Sequence, residues 1–203
     1  MTIERNRPWG DRGGLTADGV VARTDHELRA VVEAARRAGT SPPVVGLLGG
    51  DLCRTLGGRG DESRIHMSDA VRMPIDVVMA ELDGDRHWFV AHLLARQSWW
   101  RGRVLAVMNA EFIGAWDVAP RSHPNDGVVD VVDGDPSPSD RWKARARLPT
   151  GAHVPHPSIS QTRAKRFETT LAPGTRVWLD GDALGPVHHL RLTVEPDALI
   201  VVV

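Results

Sequence analysis

Tyrosine is absent from the 203-residue chain, lysine occurs only as Lys143 and Lys165, and Cys53 is the single cysteine. One cysteine excludes an internal disulfide and fits a reducing compartment, so a cytoplasmic location is the expectation. No apolar run reaches the ~20 residues needed to cross a bilayer, so no transmembrane segment is expected. The opening stretch MTIERNRPWGDRGG lacks the apolar centre of a signal peptide. Neither sign of charge is in excess, with 25 Lys+Arg against 26 Asp+Glu. That balance removes the basic surplus of a non-specific nucleic-acid binder. There is no internal repeat and no low-complexity tract. What is present is a composition 41% hydrophobic, enough for a real core, and seven tryptophans. Trp99-Trp100 stand between Arg96, Arg101 and Arg103. They read either as a half-buried core pair or as an amphipathic patch for a partner or for peripheral membrane contact.

Residues 1–19 are rich in glycine, proline and charge and read as an irregular arm. Val20-Val21-Ala22 is a short strand, and Leu28, Val31, Val32, Ala35 and Ala38 then recur at helical spacing up to the natural stop Gly39. Val44 to Leu48 is a continuous apolar strand of the buried parallel type. Gly49-Gly50-Asp51 turns into a second helix, Leu52 to Leu56. Residues 20–58 thus form a strand–helix–strand–helix segment of Rossmann-like α/β character. Residues 59–72 are polar and resemble a linker; their Arg-Gly-Asp at 59–61 is a chance match. From 73 to 203 the pattern is antiparallel: a hairpin over Ile75–Leu82 and His87–Ala91, then strands at Arg103–Met108, Val128–Val132, Phe167–Leu171, Arg176–Leu179, His189–Val194 and Leu199–Val203, with residues 138–148 a short helix or a loop. The expected fold is α+β, a remnant α/β segment packed on an antiparallel β-sandwich or barrel. Two parallel strands are too little sheet to stand alone. They must lean on the second half or be completed by a second copy in a homodimer.

The turn Arg23-Thr24-Asp25-His26-Glu27 opens the first helix where nucleotide-binding proteins place glycines. A helix N-terminus offers free N–H groups and the positive end of a dipole to phosphate. Thr24 and Glu27 instead fit a capping box, in which Thr24 accepts from the Glu27 N–H and Glu27 reaches back to the Thr24 N–H. Asp25 and Glu27 also bring negative charge to the phosphate position. Gly49-Gly50-Asp51 could bind phosphate or ribose, or could be a tight turn capped by Asp51. His153 and His156 lie in a proline-rich loop, and no clear cluster completes a zinc site with them.

The order of motifs resembles the diacylglycerol kinase and sphingosine kinase family. Residues 20–33 have the frame of that family's strand, G-G-D-G-T turn and helix, with Asp25 on the motif's aspartate. Leu48 to Gly57 is similar to its L-G-T-G-N-D-x-A-R-x-L-G, two residues shorter. Ala119-Pro120-Arg121-Ser122-His123-Pro124-Asn125-Asp126-Gly127-Val128-Val129-Asp130-Val131 looks like A-P-x-A-x-P-x-D-G-x-L-D-V. Val177 to Asp182 looks like V-x-L-D-G-E, and GAHVPHP, Lys165 and Leu190–Leu199 fall in place. The likeness covers roughly residues 20–203, with a shortening around 92–103. Against the family pattern the chain reads as N-terminally truncated and divergent.

The resemblance implies ATP and magnesium as cofactors, with Asp25, Gly49, Gly50 and Asp51 at the nucleotide. It also implies Asp182 as the general base toward a lipid hydroxyl, and a magnesium site at Asp126 and the Val128 carbonyl. His123 stands where the family commonly has a second carboxylate. With the first motif stripped of glycine and the second shortened, the expectation is a lipid- or protein-binding relative whose ATP-dependent phosphotransfer is lost or weak. The alternative is an active lipid kinase using Asp182, completed by a homodimer partner.

Overall fold

A computed structural model describes residues 9–153 and 156–203. Residues 1–8 of the expected arm, and Val154-Pro155 within GAHVPHP, lie outside the described residues. Fifteen strands and four α-helices are found among the described residues. In chain order they are β1 (Asp11–Arg12), β2 (Val20–Ala22), α1 (Asp25–Arg37), β3 (Val45–Leu47), α2 (Gly50–Thr55), α3 (Glu62–Ile65), β4 (Val71–Leu82), β5 (Asp85–Phe89), β6 (His92–Arg96), β7 (Val104–Met108), β8 (Phe112–Ile113), β9 (Trp116–Asp117), β10 (Val129–Gly134), α4 (Pro138–Arg147), β11 (Ile159–Ala164), β12 (Arg166–Thr170), β13 (Arg176–Leu179), β14 (Asp182–Pro186) and β15 (His189–Val202). A 3₁₀ turn at Leu148–Thr150 follows α4.

The fold is α+β, as the pattern predicts, and its β half is a sandwich. One sheet runs β1-β4-β15-β3-β2, with β5 pairing β4 and β12 pairing β15; the other runs β11-β10-β7-β6-β13-β14. Alternate residues of the facing strands, such as Val78, Ala80 and Phe89 against Leu105, Val107 and Val177, fill the space between them. Each large apolar side chain buried this way contributes about 1.5–3 kcal/mol. β4 and β5 meet at Asp83-Gly84, both with positive φ (50° and 99°), as a two-residue hairpin loop requires.

The two predicted strands at the chain's end are one. β15 continues through an irregularity between Glu195 and Leu199, where Asp197 adopts φ 52°. Its first half pairs with β12 and its last residues run parallel to β3, Val201 opposite Val45. The parallel pair β2–β3 is therefore completed within the chain by β15. A buried carboxylate, Asp76, holds the irregularity in place by accepting from the backbone N–H groups of Asp197 (3.0 Å) and Gly127 (2.7 Å). Burial raises its pKa to about 6, against the opposing pull of the Gly127 hydrogen bond.

Two expectations are corrected. The arm is not wholly irregular, because β1 pairs with β4 and Leu15 is buried. The polar stretch 59–72 contains α3, whose Ile65 is buried against Leu15 and Val202. Ile65, with Ala70 in the same cluster, anchors the polar stretch.

Candidate functional site: a self-capped cleft beside an apolar pocket

α1 begins with Thr24 as N-cap, its hydroxyl accepting from the Glu27 N–H at 3.1 Å. The reciprocal half of the expected capping box falls one residue earlier: Glu27 accepts from the Arg23 N–H at 2.6 Å. Leu28, Val32 and Ala35 face the core. Asp25, on the first turn, points across to α2 and accepts from the N–H groups of Asp51 (2.6 Å) and Leu52 (3.1 Å). The cap of α2 is thus Asp25, twenty-six residues upstream of Asp51, and not Asp51 itself. The glycine pair makes this possible. A Cβ at Gly50 would strike the Asp25 carboxylate and one at Gly49 the Arg23 carbonyl, and Gly50 has φ 93°. Burial, followed by the nearby charge of Asp180, raises the Asp25 pKa to about 6.

Asp51 turns outward and accepts from the Gly114 N–H (2.9 and 3.0 Å), and it pairs with His92 Nε2 at 3.1 Å. Burial pushes the Asp51 carboxyl up, but the His92 and Gly114 hydrogen bonds outweigh it and hold it below its ordinary range. For His92, burial disfavours the cation, yet the Asp51 hydrogen bond and the charges of Asp180, Asp51 and Asp25 leave its pKa raised. Asp180, fully enclosed, accepts from the N–H groups of Val90 (2.9 Å), Ala91 (2.9 Å) and His92 (3.0 Å). Burial raises its pKa despite those bonds. Asp25, Asp51 and His92 each offer a ligand atom within 4.8 Å of the others. Their oxygens, however, already serve backbone N–H groups, which is the arrangement of a structural lock.

Asp182 Oδ2 is held by Arg29 and by His26, both from the first turns of α1. The structure therefore brings Asp182, Asp25, Gly49, Gly50 and Asp51 around the facing ends of α1 and α2. It does not bring Asp126 and Val128 there. Asp126 lies on the turn before β10, paired with Arg163 and accepting from the Val128 N–H at 3.2 Å. His123 packs against Trp9 with its ring tilted by 56°, centroids 4.4 Å apart.

Beside this cleft, on the outer face of the second sheet, lies an apolar pocket of ≈ 320 Å³. Leu94, Ala106 and Val132 form its floor; α4 and the β8–β9 hairpin form its walls. Arg141 shapes the mouth by donating to the carbonyls of Pro136 (2.8 Å), Trp99 (3.3 Å) and Gly102. The hairpin also touches the cleft, since Gly114 binds Asp51 while Ile113 and Trp116 line the pocket. His153 lines the pocket while only 5% exposed. Among the described residues neither of its ring nitrogens makes a hydrogen bond of good geometry, although the Val118 backbone lies close. Burial lowers its pKa, against the pull of Asp117, so the neutral imidazole is favoured. The pocket escaped the sequence reading, yet it left a signal. Val104-Leu-Ala-Val-Met108 in β7 does not alternate, which means that both faces of an antiparallel strand are covered.

The family model of the YegS C-terminal NAD kinase beta sandwich-like domain matches residues 74–203. This chain belongs to the diacylglycerol-kinase-like lipid kinase family. The fold of these lipid-kinase relatives extends beyond the matched domain. A crystal structure provisionally described as a diacylglycerol kinase from Bacillus anthracis str. Sterne aligns with a TM-score of 0.68 at 12% identity, covering 92% of this chain and 79% of that one. A diacylglycerol kinase structure from the same organism aligns at 0.59 and 14% identity, covering 92% and 77%. No curated protein matches. In this lipid-kinase-like chain Asp180 and Asp182 have separate tasks, the first folding the β5–β6 turn and the second meeting α1. Among the described residues no helix is long and apolar enough to cross a membrane.

Proposed function

We propose that this lipid-kinase-family protein binds a lipid-like ligand, an apolar body with one hydrogen-bonding group, in the pocket under α4, and that it has lost ATP-dependent phosphoryl transfer. The carrying observation is the pairing of an apolar cavity with a buried imidazole left without a good partner. A ligand hydroxyl, carbonyl or carboxyl would satisfy His153, and a buried polar group without a partner costs about 1–3 kcal/mol. The names of the solved relatives, as diacylglycerol kinases, support a lipid as the ligand class.

The cleft does not fit the phosphates and magnesium that the family implies. Thr24 already accepts from the Glu27 N–H of α1, Asp25 from the Asp51 and Leu52 N–H groups of α2 and Glu27 from the Arg23 N–H before α1, and Asp126 is committed to Arg163. A phosphate charge about 4 Å from the Asp25 carboxylate would be repelled by about 4 kcal/mol at the effective dielectric of a protein surface. The second reading, an active kinase, is favoured by the position of Asp182 against the start of α1. There Asp182 would accept the proton of a lipid hydroxyl once Arg29 and His26 release its Oδ2.

Thermal melting with ATP–magnesium and, separately, with a fluorescent fatty-acid analogue tests both readings. The fatty acid is expected to raise the melting temperature and millimolar ATP–magnesium to leave it unchanged. A shift with ATP–magnesium, joined by phosphoryl transfer that Asp182→Asn abolishes, would establish the kinase reading. No shift with the fatty acid would remove the lipid reading.

A further inference from the structure

The mouth of the pocket carries an unusual surface. Trp99, Trp100 and Trp142 are 44%, 54% and 67% exposed. α4 has no buried residue at all. Residues 97–103 and 138–147 together hold six cations, Arg101, Arg103, Arg141, Lys143, Arg145 and Arg147, against the single acid Asp140. The whole chain has a formal net charge of −1, so this excess is local. Asp133, Asp135 and Asp140 pair with Arg103, Arg141 and Lys143. Arg101, Arg145 and Arg147 are exposed and make no ion pair among the described residues.

We propose that this face is a docking surface for anionic lipid membranes, with Trp100 and Trp142 entering the headgroup region and Arg101, Arg145 and Arg147 meeting the lipid phosphates. Indole rings are amphipathic, with a large apolar body and one N–H donor, and partition to the boundary between headgroups and acyl chains. Cations around them add electrostatic attraction to an anionic leaflet, and the combination of shallow apolar insertion with basic side chains is the signature of interfacial helices. A protein partner would be expected to cover Trp142 with apolar neighbours. On α4 its i+3 neighbour is the exposed Arg145, and Lys143 and Arg147 are exposed on the same helix. The pocket opens between the two tryptophan-bearing segments, since Trp99, Trp100, Arg141 and Arg145 all border it. Docking would therefore set its mouth against the bilayer. The delivery of a lipid into the pocket rests on the function proposed above; the docking itself does not.

Co-sedimentation of the full chain with phosphatidylcholine vesicles, with and without phosphatidylglycerol, tests the surface. Binding is expected only to the vesicles that contain phosphatidylglycerol, and it should weaken as salt is raised. The double variant R101A/R147A removes two cations outside the pocket lining and should weaken binding about 30-fold. Trp142→Ala should weaken it further, and both variants should melt as the parent does. Each should still bind a soluble fluorescent fatty-acid analogue, whereas Ala106→Trp, which fills the pocket floor, should lose that probe yet still dock on vesicles. Equal binding to neutral and anionic vesicles would overturn the proposal, as would undiminished binding by R101A/R147A and Trp142→Ala. So would a concentration-dependent dimer in sedimentation velocity that Trp142→Ala dissolves, because the face would then belong to a second copy of the chain.

Discussion

The cleft and the pocket share the β8–β9 hairpin as a wall but treat hydrogen bonding in opposite ways. In the cleft side chains turn inward onto backbone N–H groups: Thr24 accepts from Glu27 and Glu27 from Arg23 at the start of α1, Asp25 caps α2, and Asp180 gathers three donors at the β5–β6 turn. In the pocket a buried imidazole is left over. The cleft spends its carboxylates on backbone N–H groups, whereas the pocket holds a buried imidazole with no well-formed hydrogen bond among the described residues.

The largest effect should come from Asp180→Ala. It leaves three buried N–H groups without acceptors and removes one of the carboxylate charges near His92, and should cost about 3–5 kcal/mol in urea unfolding. Asp25→Ala comes next, at about 2–3 kcal/mol, because two N–H groups at the start of α2 lose their cap. If either variant unfolds within 0.5 kcal/mol of the parent, on the scale of ordinary surface changes, the cleft is not the lock described.

The pH dependence sharpens the same contrast. Asp25 and Asp76 have folded-state pKa values of about 6 against an ordinary 3.8. Between those values the folded state holds protons that the unfolded state has released, so stability is greatest at the acid end and falls as pH rises through about 6. A two-unit shift corresponds to about 3 kcal/mol per group at most. Asp51, held below its ordinary range, acts in the opposite sense at more acid pH, and His153 and His123, whose pKa values are lowered, do so below the ordinary imidazole range. The melting temperature should therefore be higher at pH 5 than at pH 7.5, and Asp25→Asn should reduce the difference. The smallest stability effect belongs to the pocket. His153→Phe should leave stability within about 1 kcal/mol of the parent, because it removes a polar group that has no good partner. The same change should lower the affinity of a fatty-acid probe about tenfold, the worth of one hydrogen bond.

Much of the frame could be read from residue order. The apolar stripe of α1, the buried run of β3, the Arg176–Leu179 strand and the Asp83-Gly84-Asp85 turn all follow local rules, and the structure places them within a residue or two of expectation. The locks could not be read, because their partners are remote: Asp25 with Leu52, Asp180 with Val90, and Asp76 with Asp197 span 27, 90 and 121 positions. The capping box misled by one residue because Thr24 and Arg23 offer adjacent N–H groups and only the entry angle of the chain chooses between them. β6 was missed because His92-Leu-Leu-Ala-Arg96 does not alternate, its central residues being covered on both faces by the core and the pocket floor. That missed strand and the missed pocket share one cause.

β15 has a consequence for how the molecule is made. It lies between β4 and β3 in the larger sheet, yet a ribosome would produce it more than a hundred residues after either neighbour. Until it arrives, the mostly apolar strands β3 and β4 each present an open edge, the kind of surface on which nascent chains stick to one another. The contacts that finish the sheet are among the most distant in the chain, which favours slow folding. Such a protein would need shielding during translation more than it needs extra stability once complete.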